Sequence, residues 1–149
     1  MSELEKIFLT SSLTILGGII TYVAGQIILK FLIEPIHKQS ETIGDISDAL
    51  IYYAREYSSP GRLKKEMLDE AHNKLRQSAS LIKAKSYTIK FYNFFEACKL
   101  IPKLKSIETA SSELIGLSNS MYGGPGNNGV ENSERADKIR KLLNIPTNL

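Results

Sequence analysis

An uncharged apolar stretch near the N-terminus constrains this chain more than any other feature. From Ile7 to Leu29 no side chain carries a charge. As an α-helix rising about 1.5 Å per residue, this stretch spans roughly 34 Å, enough to cross a hydrocarbon core about 30 Å thick. The sequence therefore predicts one transmembrane helix near the N-terminus.

Small residues recur along this helix at steps of three and four, so they share one side of it. They are Ser11, Thr14, Gly18, Thr21 and Gly25, called the small-residue seam below. A stripe of small residues lets two helix backbones approach closely, which is how helices associate in lipid. We expect the seam to produce a homo-oligomer.

A cleavable signal peptide is the alternative for this N-terminus. Glu3 and Glu5 outweigh Lys6 before the apolar run, whereas secretory signals begin with positive charge and have apolar runs of about 7–15 residues. A retained anchor is therefore favoured. Lys30 and Lys38 follow the run, so the positive-inside rule predicts an external N-terminus and a cytoplasmic C-terminal part.

The net charge of +3 is unevenly distributed along the chain. Residues 60–105 hold eleven Lys and Arg against four Asp and Glu, a balance of +7, and include Tyr87, Phe91 and Tyr92. Core packing is the plainer role for these aromatics, but the region also suits an acidic lipid surface or, less well, a small anionic ligand such as a nucleotide. No DNA binding is expected. The candidate contacts are Lys83, Lys85, Lys90, Lys99, Lys103 and Lys105.

Pro35 predicts a kink or a fresh helix start, and a heptad pattern follows it. We expect residues 1–35 to form the anchor with its interfacial segment and residues 36–149 to form a cytoplasmic helical domain. The heptad pattern suits packing on the chain's own domain, which we favour, or a coiled coil between protomers. Its positions are Ile36, Ile43, Ile46, Leu50, Tyr53 and Tyr57, with Gln39 at the missing place.

Apolar stripes and turn residues predict the rest of the domain. Arg62 to Ala84 should form a long helix, whose stripe is Leu63, Met67, Ala71, Leu75, Ala79 and Ile82. The remaining predicted elements are a turn at 58–61, a short helix rather than a strand within 86–100, a helix at 103–121, a Gly-rich loop at 122–130 and a final helix from a cap at Asn132 to Leu143. The predicted fold class is all-α, with one transmembrane helix followed by a small bundle of about five helices.

No motif in the sequence predicts catalysis. Asp69 and His72 form only half of a carboxylate–histidine metal site, and no second half is present. Cys98 lies in an apolar context, which favours a buried structural thiol. The Gly-rich loop matches no phosphate-binding spacing, so a solvated linker is favoured. We expect no enzyme activity, no metal and no cofactor.

Three stretches resemble a group of small uncharacterised bacterial membrane-anchored proteins. The stretches are Gly25–Ile36, Ile43-Gly44, and Ala110–Met121 followed by a polar loop and the helix with Ile139 and Leu142. The resemblance implies a location in the bacterial inner membrane. It implies no activity.

Two functions remain open at the level of sequence. In the first, the protein is a membrane effector, for instance in bacterial defence, whose cytoplasmic domain senses a protein or a small anion and whose membrane helices then rearrange. In the second, it is a passive membrane-tethered adaptor that presents a helical interaction module. Membrane lipid and a second copy of the chain are the expected partners in both.

Overall fold

The structure is a computed structural model that describes residues 2–123 and 128–146. Within those two ranges the chain is all-helical and has no strand, which confirms the predicted all-α class. It divides into two compact units, Met1–Glu34 and Pro35–Leu149. The helices are α1 (Glu3–Ile28), α2 (Glu34–Tyr52), α3 (Ala54–Ser58), α4 (Lys65–Tyr87), α5 (Tyr92–Ala97), α6 (Leu104–Ser120) and α7 (Gly129–Leu142), with a π-helical turn at Leu29–Ile33.

The first unit is the apolar helix α1 with the π-helical turn. A reciprocal cap starts α1: Glu5 N–H donates to Ser2 Oγ, and Ser2 N–H donates to Glu5 Oε2 at 2.7 Å. None of the α1 side chains is buried. Of the described residues, the helical run from Glu3 through Tyr52 is the one that is long and apolar enough to cross a membrane.

The π-helical turn lies immediately before Pro35. Glu34 N–H donates to Leu29 O, five residues back, whereas an α-helical bond reaches four residues back. Proline lacks an N–H and its ring crowds the preceding turn, so a wider turn at this point accommodates it. The discontinuity predicted at Pro35 is therefore a π-helical turn that leads directly into α2.

The second unit is built around one large apolar core. α6 packs against both α4 and α7, and α3 contacts all three of these helices. The heptad positions Ile46, Leu50, Tyr53 and Tyr57 are buried in this core, which confirms that α2 packs on its own domain. The largest fully buried apolar side chains are those of Ile46, Leu50, Leu75, Ile82, Ile107, Leu114, Leu117, Met121, Ile139 and Leu143.

A second, smaller cluster forms around the first turns of α2. Ile89, Tyr92 and Ile101 are its buried members, and Ile36 packs against them with Phe95 and Leu104. The predicted short helix in this region is present, but it covers only Tyr92–Ala97. The preceding residues to Tyr87 belong to α4 instead.

The start and the buried face of α4 differ from the prediction. The helix begins at Lys65 rather than Arg62, because Lys64 has an extended backbone with a ψ of 142°. Met67 is 39% exposed, and Leu68 is buried in its place. The predicted stripe is therefore wrong in the first turn, and it also lacks the buried Ser78 and Ser86 farther along the helix.

The last helix begins earlier than predicted. Asn128, not Asn132, caps α7 by accepting a hydrogen bond from Glu131 N–H at 2.7 Å. The predicted loop at 122–130 is therefore wrong in its last two residues, while 124–127 lie outside the described residues. Asn132 is buried and donates from Nδ2 to Tyr57 O at 2.8 Å, so it links α7 to α3.

Candidate anion site

A cleft of about 560 Å³ opens where the ends of three helices meet in the second unit. The chain leaving α5 supplies Lys99, the start of α6 supplies Lys103, and the last turns of α7 supply Lys138 and Lys141. Ser106 and Asn144 add polar groups, and Glu96 adds the one carboxylate among the described residues that line the cleft. The cleft is therefore lined by four cations and one anion.

Two helices end at this cleft with the same backbone geometry. Lys99 follows α5 and Asn144 follows α7, and each has a left-handed φ of 57°. In each case the next residue bonds back to form a Schellman motif: Leu100 N–H donates to Phe95 O and Ile145 N–H to Arg140 O. Glycine is usual and asparagine tolerated at this position, so Lys99 occupies a backbone conformation that its Cβ disfavours.

The charge of the cleft is partly compensated by its neighbours. Glu96 Oε2 accepts from Leu104 N–H at 3.1 Å, so its negative charge lies at the start of α6. Lys138 Nζ lies 2.6 Å from Glu113 Oε1. Among the residues that the structure describes, no ion pair involves the other three lysines. The cleft therefore carries net positive charge and is suited to bind an anion.

The structure brings two of the six predicted lysines, Lys99 and Lys103, into this cleft. Lys83 lies elsewhere, with Nζ 5.9 Å from the centre of the Tyr87 ring. The other three predicted contacts, Lys85, Lys90 and Lys105, do not line the cleft.

The sequence reasoning missed the two lysines of α7. Lys138 and Lys141 are three residues apart, a spacing that places both on one side of a helix. That spacing was the one feature of the sequence that could have indicated a basic surface on α7. Their approach to Lys99 and Lys103 depends on the packing of α7, which local sequence does not reveal.

The small-residue seam lies on the exposed surface of α1 in the isolated chain. The Thr14 and Thr21 hydroxyls donate to the carbonyl oxygens four residues back, at 2.8 and 2.9 Å. These hydroxyls therefore need no partner in lipid. A Cβ built on Gly18 or Gly25 meets no atom of the described residues within 4 Å, so the space beside both glycines is open to another helix.

Asp69 and His72 make separate contacts with the end of α6. Asp69 Oδ1 accepts from the Tyr122 hydroxyl at 2.6 Å, and this bond raises the pKa of Tyr122. His72 Nδ1 lies 3.0 Å from Ser118 O. Within residues 2–123 and 128–146, no three His, Cys, Asp or Glu residues are grouped to hold a metal ion. His72 therefore connects α4 to the last turn of α6, and Asp69 connects α4 to Tyr122 just beyond it.

Cys98 is exposed, and the prediction of a buried thiol is wrong. Cys98 lies at the end of α5 and belongs to neither apolar cluster. The nearby side chains that do belong to the smaller cluster are those of Tyr92 and Phe95. Its exposure provides a natural position for a chemical label.

Comparison with known proteins adds no relative. No protein-family model, no curated protein and no solved structure matches the chain.

Proposed function

We propose that this chain is a single-pass membrane protein of the bacterial inner membrane that self-associates and couples a cytoplasmic helical domain to the bilayer. The N-terminus is external and the C-terminal domain cytoplasmic, in keeping with the lysines that follow the apolar run. The proposed activity is assembly and coupling, with no catalytic step. Lipid, a second copy of the chain and an anionic ligand or cytoplasmic protein are the partners in this proposal.

One observation carries the proposal: no non-helical residue separates the apolar helix from a core helix of the domain. Residues from Glu3 to Ile33 are helical, and α2 begins at the next residue. Ile46 and Leu50 of α2 are fully buried in the domain core. A flexible linker would allow the two parts to move independently, whereas a helical connection transmits rotation or displacement.

In the effector form of this proposal, binding in the basic cleft or at another surface of the domain changes how the membrane helices associate. Bacterial defence is one setting in which such a protein would permeabilise a membrane. The alternative is a passive adaptor. It is favoured by the burial of Ile46 and Leu50 in the domain core, because heptad residues that pack on their own domain are not free to form a coiled coil between protomers.

Two measurements test the proposal. Alkaline carbonate extraction of bacterial membranes should leave the full-length chain in the pellet, and its appearance in the supernatant would refute membrane anchoring. Labelling of Cys98 with a membrane-impermeant maleimide should fail in intact spheroplasts and succeed after lysis. Labelling in intact spheroplasts would show that the domain lies outside the cell and would refute the proposed topology.

Membrane potential separates the effector from the adaptor. The full-length protein is expressed from an inducible promoter in cells loaded with a potential-sensitive dye. Depolarisation that disappears when the seam glycines are replaced with leucine supports the effector. An unchanged potential, with and without a co-expressed trigger, leaves only the adaptor.

A further inference from the structure

Large apolar side chains are exposed along the short α5 region of the second unit. Phe91, Phe94 and Leu100 are 72%, 63% and 64% exposed. On the other side of the same segment, Tyr92 is buried in the smaller apolar cluster. The cluster thus fixes this segment in place while three large apolar groups remain in solvent, an arrangement typical of a surface that binds a partner.

Chain connectivity limits the distance between this segment and the apolar helix. Ile36 packs in the same cluster and is three residues beyond Ile33, where the π-helical turn ends. Three residues span at most about 11 Å, whatever the arrangement of the two units. Gln39, one turn later, donates to Tyr92 Oη at 3.2 Å and ties α2 to the segment. The exposed side chains therefore belong to the part of the domain that follows the membrane helix directly.

Positive charge flanks the exposed apolar groups. Lys99 lies within the segment and Lys103 follows it, and both are exposed. The nearest carboxylate in sequence, that of Glu96, is bound to Leu104 N–H. Apolar side chains beside lysines fit the headgroup region of an anionic bilayer, where the rings enter the boundary and the ammonium groups meet lipid phosphates.

We infer that residues 91–100 form a second membrane contact, which inserts Phe91, Phe94 and Leu100 into the surface of an anionic bilayer. This inference rests on the proposed membrane anchoring by α1. A second copy of the chain is the less suitable occupant, since pairing two such surfaces would bring their lysines together. The contact would hold this part of the domain against the membrane and bring Lys99 and Lys103 near the lipid headgroups.

Cys98 allows a direct test because it is exposed and is the sole cysteine of the chain. A nitroxide is attached to Cys98 of the full-length protein in nanodiscs, and its collision rates with oxygen and with a water-soluble nickel chelate report its depth. In discs that contain phosphatidylglycerol, we expect the label on Cys98 to lie at the depth of the lipid headgroups. Replacing Phe91 and Phe94 with serine should return the label to water, with at least a threefold gain in nickel collisions.

A matched control replaces another exposed apolar residue outside the segment. Val130 on α7 is 71% exposed, so Val130→Ser removes an exposed apolar side chain outside the segment and should leave the Cys98 depth unchanged. Discs of phosphatidylcholine alone should give a shallower label, because the lysines then lack anionic headgroups.

A label at position 16 separates failure of this inference from failure of the proposed function. Leu16 lies on the side of α1 opposite the seam, and the label is introduced as Leu16→Cys with Cys98→Ser. Hydrocarbon depth at 16 with water exposure at 98 in anionic discs overturns the second contact alone. Water exposure at 16 overturns membrane anchoring itself. Protection of the Cys98 label from both collision partners in both lipids would indicate a protein contact and also overturn the inference.

Discussion

Gln39 of α2 and Tyr92 of α5 are joined by a hydrogen bond of 3.2 Å from the Gln39 amide to the Tyr92 hydroxyl. The same amide nitrogen donates to Ser86 Oγ at 2.8 Å. Both hydroxyls also donate to backbone oxygens, Tyr92 to Pro102 and Ser86 to Ile82, so each can only accept from Gln39. These bonds fix the orientation of the amide, and they leave Gln39 Oε1 buried with no hydrogen-bond partner among the described residues.

This network predicts unequal effects of two substitutions. Gln39→Leu removes the unpartnered oxygen and leaves both hydroxyls their donor bonds, so the free energy of unfolding should change by less than about 1 kcal/mol. Tyr92→Phe deprives the buried Pro102 carbonyl of its donor and should cost about 1–3 kcal/mol. Chemical denaturation of the full-length protein in detergent, followed by circular dichroism, measures both. A larger loss for Gln39→Leu than for Tyr92→Phe would contradict the network.

The corrected face of α4 predicts opposite behaviour for two adjacent residues. Leu68 is 4% exposed, so Leu68→Ala should lower the free energy of unfolding by about 2–5 kcal/mol. Met67→Ala, at a position 39% exposed, should cost less than about 1 kcal/mol. The same denaturation experiment compares them. Equal costs, or a greater cost at Met67, would restore the stripe expected from the sequence.

The buried faces of α2 and α4 show how much of the fold the sequence could predict. The heptad spacing placed Ile46 and Leu50 on the buried side of α2 correctly, because large apolar residues at steps of three and four leave only one face to bury. On α4 the buried face accepts Ser86, whose hydroxyl is satisfied by Ile82 O, and apolarity alone could not reveal this.

The basic cleft was only half predictable for a different reason. Lys99 and Lys103 belong to the basic central region, but Lys138 and Lys141 reach the cleft through the packing of α7 on α6. The start of α7 was misplaced for a similar cause. Asn132 has the residue type of a cap, but its side chain is occupied by Tyr57 O and Ser120 Oγ.

Replacing Lys99 with glycine should raise the stability of the fold and weaken anion binding. Lys99→Gly places glycine at a left-handed φ and should stabilise the fold by up to about 1 kcal/mol, while it removes one cation from the cleft. Pyrophosphate should raise the thermal midpoint of the wild-type protein and raise that of the variant less.

Asn144→Gly is the matched control for this substitution. Asn144 has the same left-handed φ and lines the same cleft, but its replacement removes no charge. Pyrophosphate should therefore raise the thermal midpoint of this variant as it does that of the wild type. The anion site is refuted if pyrophosphate does not raise the wild-type midpoint, or raises that of Lys99→Gly equally.

Tyr53 predicts a loss of stability in alkaline solution. Burial, followed by the hydrogen bond to Glu70, raises the pKa of Tyr53 to about 12 from 10. The folded state favours the neutral phenol, and this preference contributes to the free energy of unfolding. The contribution is complete below pH 10 and is lost as the pH rises from 10 to 12. The thermal midpoint should therefore fall over that interval by more in the wild type than in Tyr53→Phe. Parallel declines in the two proteins would contradict the shift.

The mass of the detergent-solubilised full-length protein, determined by light scattering, tests self-association through the seam most directly. Gly18→Leu with Gly25→Leu fills the open space along the seam and should reduce the oligomer to monomer. Gly17→Leu with Ala24→Leu adds nearly as much bulk at the same seven-residue spacing, about a quarter turn away, and should leave the mass unchanged. An oligomer that survives the first pair of substitutions would contradict the account and move assembly to another surface.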